Sequence, residues 1–191
     1  MTWLIVALLL IAAFGPMLWL LPTRKDRRLA RMRARARTLG LSVQLTPIRK
    51  RDATPDEVVS AGGNRKNPTL TVAAYRRPVV RPMNYVPPWK VDRSSSGDAG
   101  PLPGWMWDVR PAAPESGQLE EVWRLVDALP DDVVSVEATR LDVAAFWLER
   151  ASDDAAESAV NSLDSALGEI AEAMISLNDR IEARAKREKS S

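Results

Sequence analysis

The chain has no cysteine and no histidine. Without cysteine there is no disulfide, no thiolate nucleophile, no zinc–cysteine site and no lipidated cysteine. Without histidine the usual general base and the commonest metal ligand are both missing. The phosphate-loop pattern G-x-x-x-x-G-K-[ST] is absent. Gly62-Gly63-Asn64-Arg65-Lys66 has the wrong spacing and no Ser or Thr after Lys66. There is no G-x-S-x-G elbow and no S-x-x-K pair. These absences remove most hydrolase and metalloenzyme chemistry. The expectation is a protein that is not an enzyme, with no catalytic, cofactor-binding or metal-binding residues.

What is present is an ordinary globular mix, 46% apolar and 27% charged over 191 residues. The net charge of +2 conceals an asymmetry. Residues 1–93 carry 18 Lys/Arg and 5 Asp/Glu, whereas residues 94–191 carry 9 and 20. The two halves therefore attract different partners.

Residues 2–21 hold no charge and are nearly all apolar. Twenty residues at about 1.5 Å each span roughly 30 Å, the hydrocarbon thickness of a bilayer. Trp3 and Trp19 fall near the two ends, where amphipathic rings favour the headgroup level. No cation precedes the run and no small-x-small site follows it, which argues against a cleaved signal. Residues 1–23 thus read as a transmembrane anchor. Eight cations then follow between Arg24 and Arg37 against one acid, Asp26. Cationic loops stay inside, so the expected placement is a bacterial inner membrane, with the N-terminus out and the C-terminal part in the cytoplasm.

Residues 24–40 also read as a basic amphipathic helix beside the membrane. Leu29, Met32, Ala36 and Leu39 form one stripe, and Gly40 is a natural stop. Arg24, Lys25, Arg27, Arg28, Arg31, Arg33, Arg35 and Arg37, with Trp3 and Trp19, are expected to meet lipid headgroups of the anionic leaflet. No aromatic residue interleaves the arginines, so nucleic acid is not an expected partner.

Residues 41–91 form a β-rich segment, with strand patterns at 41–45 and 69–75. Eight prolines lie between Pro78 and Pro114, and residues 92–103 have the composition of a flexible linker. Residues 104–185 read as an α+β region. It opens with a short strand at 104–109, in which Trp105 and Trp107 share a face. An amphipathic helix follows at 118–129, with Ser116 as its cap. Residues 133–149 read as a β-hairpin, in competition with a helix over 141–150. A long helix over 152–185, capped by Ser152, carries apolar residues at alternating steps of four and three from Ala156 to Ile181. That seam suits a coiled coil, but Ala166, Ala171 and Ala173 widen it toward packing within the chain. Residues 186–191 read as a frayed tail.

Trp89, Trp105, Trp107, Trp123 and Trp147 serve either as core or as a binding groove. Trp105, Trp107, Leu167, Ile170 and Met174 are the candidate partner contacts. Asp108, Glu137 and Glu149 fall in strand patterns. They could act as an acid/base pair, but the plainer expectation places them on solvent faces.

The apolar N-terminus ending in Leu-Pro, the basic run and the segment Asp56-Glu57-Val58-Val59-Ser60-Ala61-Gly62-Gly63 together resemble YajC, a small accessory subunit of the bacterial Sec preprotein translocase. The resemblance covers residues 1–63. It departs at Pro55, where that family has glycine, and it leaves the remaining residues without a counterpart. It implies one membrane helix and a small β domain serving preprotein translocation.

The expected fold is therefore α+β: a single N-terminal transmembrane helix, a basic helix, and a small mixed cytoplasmic domain with few short strands and a long C-terminal helix. The expected function is a non-catalytic interaction domain. The alternatives are a structural protein oligomerising through its heptad helix and a membrane-tethered enzyme using carboxylates. Membrane lipids and other membrane proteins are the expected partners, with homo-oligomerisation left open.

Overall fold

A computed structural model describes residues 3, 23–60, 62–95, 100–112 and 119–189. The elements are α1 (Arg24–Thr38), β1 (Ser42–Arg49), a helical turn α2 (Pro55–Val58), β2 (Thr69–Pro78), β3 (Trp89–Arg93), β4 (Trp105–Val109), α3 (Glu120–Asp127), β5 (Val133–Ala138), β6 (Asp142–Trp147) and α4 (Ala156–Glu188). The fold is mixed α+β. Among the described residues six strands form one antiparallel sheet in the order β1-β2-β6-β5-β3-β4.

The membrane assignment is corrected. Among the described residues no helix is long and apolar enough to cross a membrane. The longest, α4, carries charges along its whole length, and α1 carries eight cations. The transmembrane, single-pass and inner-membrane placement, with its orientation, is accordingly withdrawn. The apolar run itself lies outside the described residues apart from Trp3, and Trp19 lies outside them too.

Each end of α1 is closed by local chemistry. The Thr23 hydroxyl accepts from the Asp26 N–H at 3.1 Å while the Asp26 carboxylate accepts from the Thr23 N–H at 2.9 Å, a capping box. At the other end Gly40 sits at φ +85°. Its N–H donates to Arg37 O, and the Leu41 N–H donates to Ala36 O. That pattern needs a left-handed residue, which glycine adopts without a Cβ clash. The stripe of α1 then buries Met32 and Ala36 completely and packs on α4.

The heptad seam of α4 faces inward. Val160, Leu163, Leu167, Ile170 and Met174 are at most 1% exposed and join the main core with Tyr75, Trp89, Trp105 and Trp147. Three tryptophans stack edge to face in series, Trp89 with Trp123 at 4.7 Å and Trp123 with Trp107 at 5.3 Å. This arrangement clamps α3 onto the strands β3 and β4.

Several boundaries differ from the sequence reading. The strands are neither few nor confined to the expected stretches: β1 continues to Arg49, β2 to Pro78, and β3 lies where prolines and a linker were read. Asp92 and Arg93 belong to β3, and the Ser94 N–H donates to Gly104 O at 2.9 Å. The stretch 92–103 therefore joins two paired strands rather than two domains; residues 96–99 of it lie outside the described residues. Ala155, not Ser152, caps α4, and the helix runs on to Glu188 through most of the expected tail. Ser116 lies outside the described residues.

The sheet curls around its second face. Four strand spacings separate β1 from β3, roughly 19 Å if the sheet were flat. Yet Arg51, two residues past β1, pairs with Asp92 of β3 at 2.6 Å and with Asp108 of β4 at 2.5 Å. Asp52 accepts from the Ser95 N–H at 2.9 Å and from the Ser94 hydroxyl at 2.9 Å. The curl encloses a second small core of Val72, Ala74, Ala144 and Phe146, with Arg76 and Lys90 lying over the Phe146 ring.

This closure predicts acid sensitivity. The Ser95 backbone hydrogen bond, opposed by burial and aided by Ser94, holds the Asp52 carboxyl below its ordinary value of 3.8. Burial would raise Asp108, but hydrogen bonds and charge from Lys90 and Arg51 outweigh it and hold that carboxyl below 3.8 as well. A depressed folded value stabilises fully above the unfolded value and is lost as pH falls through the folded one. Urea unfolding should therefore show stability falling below about pH 4, and Asp52→Asn with Asp108→Asn should flatten that fall.

Candidate functional site

The first two turns of α1 lie over one end of the sheet. Between them is a pocket of about 450 Å³, lined by Lys25, Arg28, Leu29 and Arg33 of α1, Leu45 of β1, Thr71, Val72 and Ala73 of β2, and Trp147 to Arg150 at the end of β6. The floor is apolar and the rim is cationic.

Glu149 organises the pocket. It is the only non-glycine residue with positive φ among the described residues, at +55°, and it is 4% exposed. This left-handed turn carries its carboxylate back under α1. There it accepts from Arg33 Nε at 2.9 Å, Arg33 Nη2 at 2.5 Å and the Tyr75 hydroxyl at 2.8 Å. Arg28 Nη2 reaches the Glu149 carbonyl at 3.4 Å. Burial, then the charge and hydrogen bond of Glu149, hold the Tyr75 hydroxyl far above the ordinary tyrosine value. The hydrogen bond to Glu149 raises Arg33 further, although burial opposes it. Tyr75 and Arg33 thus keep their protons at any physiological pH, and neither can shuttle one.

The remaining cations are differently placed. Among the described residues Lys25, Arg28 and Arg150 have no carboxylate partner. Two buried N–H donors on residues that line the pocket, Arg28 Nε and Trp147 Nε1, have no acceptor among the described residues. Buried donors are normally satisfied, so two orphans lining one pocket call for an acceptor. One carboxylate among four cations leaves the pocket strongly positive.

The three candidate carboxylates are dispersed and neutralised. Glu137 pairs with Arg76 at 2.9 Å, and Asp108 with Arg51 and Lys90. Glu149, placed on a solvent face by its strand pattern, is instead buried against Arg33. Among the described residues no group of His, Cys, Asp and Glu could hold a metal ion.

The residues assigned to lipid headgroups go several ways. Trp3 is 86% exposed. Arg24, Lys25, Arg27, Arg31 and Arg37 are exposed. Arg31 pairs with Asp153 at 3.7 Å, and Arg35 donates to Asn161 at 2.9 Å. Arg28 and Arg33 turn inward to Glu149. Of the candidate partner contacts, Leu167, Ile170, Met174 and Trp105 are buried in the core, and Trp107 is half-buried against it. None of those four buried side chains is available to a partner. The pocket residues Leu45, Thr71 and Arg150 carried no sequence signal, because strand ends converge there only after folding.

No protein-family model, no curated protein and no solved structure matches this chain.

Proposed function

We propose that this chain is a non-catalytic binding module and that the cationic pocket beneath α1 takes up an anionic group. The observation that carries this reading is the pair of orphaned donors, Arg28 Nε and Trp147 Nε1, beside three cations without carboxylate partners. An anion supplies both the acceptors and the opposing charge, and charge-assisted hydrogen bonds are the strong ones. Tyr75, Arg33 and Glu149 fix the walls by their hydrogen bonds. A translocation-accessory role, as residues 56–63 suggest by resemblance, is one form of non-catalytic binding, and it does not set what the pocket takes.

The test is thermal unfolding of the full chain at constant ionic strength, with inorganic phosphate, acetate or chloride as the anion. A ligand at a hundredfold excess over its Kd adds about 2.7 kcal/mol. For a chain of this size that is a rise in Tm of about 5–10 °C. Phosphate or acetate should raise Tm, and Arg28→Ala with Arg150→Ala should abolish the rise. An equal response to all three anions, or an unchanged response in the double variant, would overturn the reading.

A further inference from the structure

The pocket is continuous with an open strand edge. Leu45 lines it, is 54% exposed and sits on β1, which among the described residues pairs only with β2. The phase of the β1–β2 ladder shows which backbone groups are free. Arg49 is paired with Thr69, and one step further the Lys50 N–H donates to Pro68 O at 2.9 Å. Hydrogen-bonded pairs alternate along an antiparallel ladder. The even-numbered residues of β1 therefore bond β2, and the odd-numbered ones point their N–H and C=O groups out of the sheet. Pro47 falls on an outward position, where its missing N–H removes nothing from the ladder. The edge is thus open at Val43 and Leu45 and blunted at Pro47.

We infer that the anionic group arrives on an acidic extended peptide, which adds as a seventh strand along Val43 and Leu45 with one carboxylate side chain in the pocket. This rests on the anion-binding reading above. Leu45 shares its face with its partner Ala73, the face beneath α1. A residue opposite Leu45 on an added strand shares that face too. Its side chain therefore enters between the sheet and α1, where Lys25 and Arg28 wait. A carboxylate there meets two cations without carboxylate partners, whereas a lysine adds to the like charge. Because Pro47 ends the row of donors, the recognised stretch is short, about three to five residues.

The probe is a fluorescently labelled peptide of sequence Thr-Val-Glu-Val-Thr, titrated with the full chain and read by anisotropy. Replacing its Glu with Lys should weaken binding at least about tenfold, roughly 1.4 kcal/mol. Two isomers, N-methylated on alternate amides, block one edge or the other of the peptide strand. One should lose binding and the other should match the parent. Leu45→Pro copies the outward placement of Pro47 and should weaken the peptide about tenfold. Should that variant unfold, the methylated peptides decide. Equal binding of both isomers, or of the Lys peptide, overturns the inference. Concentration-dependent sizing with the Val43 and Leu45 amides protected in the absence of peptide would assign the edge to a second copy and overturn it too. If the peptide fails while phosphate still raises Tm through Arg28, the pocket stands and this partner falls. If neither binds, both readings fall.

Discussion

Leu167→Asp and Ile170→Asp should each unfold the whole domain. Both side chains are fully buried where α4 meets the sheet. A carboxylate placed there has no partner and costs several kcal/mol, against a total stability of roughly 5–15 kcal/mol. Circular dichroism should show loss of strand as well as helix signal, because the same core supports both. Glu172→Ala, on the exposed side of α4, should stay within about 0.5 kcal/mol of the parent. The same geometry separates the two uses of a heptad seam. A seam consumed inside the monomer gives a melt independent of protein concentration, whereas a coiled-coil seam gives one that rises with it. Folded monomers of either Asp variant would return the seam to an intermolecular role.

Arg33→Met should be nearly as damaging. The substitution keeps much of the length of the side chain but leaves the Glu149 carboxylate buried with Tyr75 as its remaining side-chain donor. Breaking a buried pair by removing one partner costs about 3–5 kcal/mol. Removing both charges costs less, because the uncompensated ion is the main penalty. The double variant Arg33→Met with Glu149→Gln should therefore recover a large part of the loss, and urea unfolding of the four proteins gives the coupling directly. A double variant no more stable than Arg33→Met alone would mean that the penalty lies elsewhere, for instance in the left-handed turn at Glu149.

The elements with the longest repeating patterns are the ones that can be read from residue order. The run Val133–Ala138 and the run Asp142–Trp147 are two short apolar stretches joined by a turn. There the Thr139 hydroxyl accepts from the Leu141 N–H at 3.2 Å and the Asp142 N–H at 3.1 Å. The helix-favouring composition of 141–150 loses to cross-strand pairing with both β5 and β2. The seven-step seam of α4, from Ala156 to Ile181, likewise marks a helix from its own spacing. In contrast, β3 is five residues long, stands between Pro87-Pro88 and a serine run, and has too few positions for a period to emerge. Its strand character comes from β4 and β5 on either side. The apolar N-terminal run carries the strongest hydropathy signal, and apart from Trp3 it lies outside the described residues. The site was the least legible part. Its residues come from positions 25 to 33, 45, 71 to 73 and 147 to 150. Nothing in a linear pattern reveals that Glu149 will turn left-handed and aim its carboxylate beneath a helix more than a hundred residues earlier.

The strand order also sets a timetable for synthesis. As the chain leaves the ribosome, β1 and β2 can pair at once, and so can β3 and β4. The inner edge of β2 must wait for β6, whose Asp142 is the partner of Pro78. That partner emerges roughly 65 residues later, a delay of several seconds at about 5–20 residues per second. During that interval the β2 edge and the small apolar residues beside it stand unpaired, at the stage when a nascent chain is most prone to aggregate. α4 follows all six of these strands and seals the core, so this fold closes only once residues 156–188 have emerged.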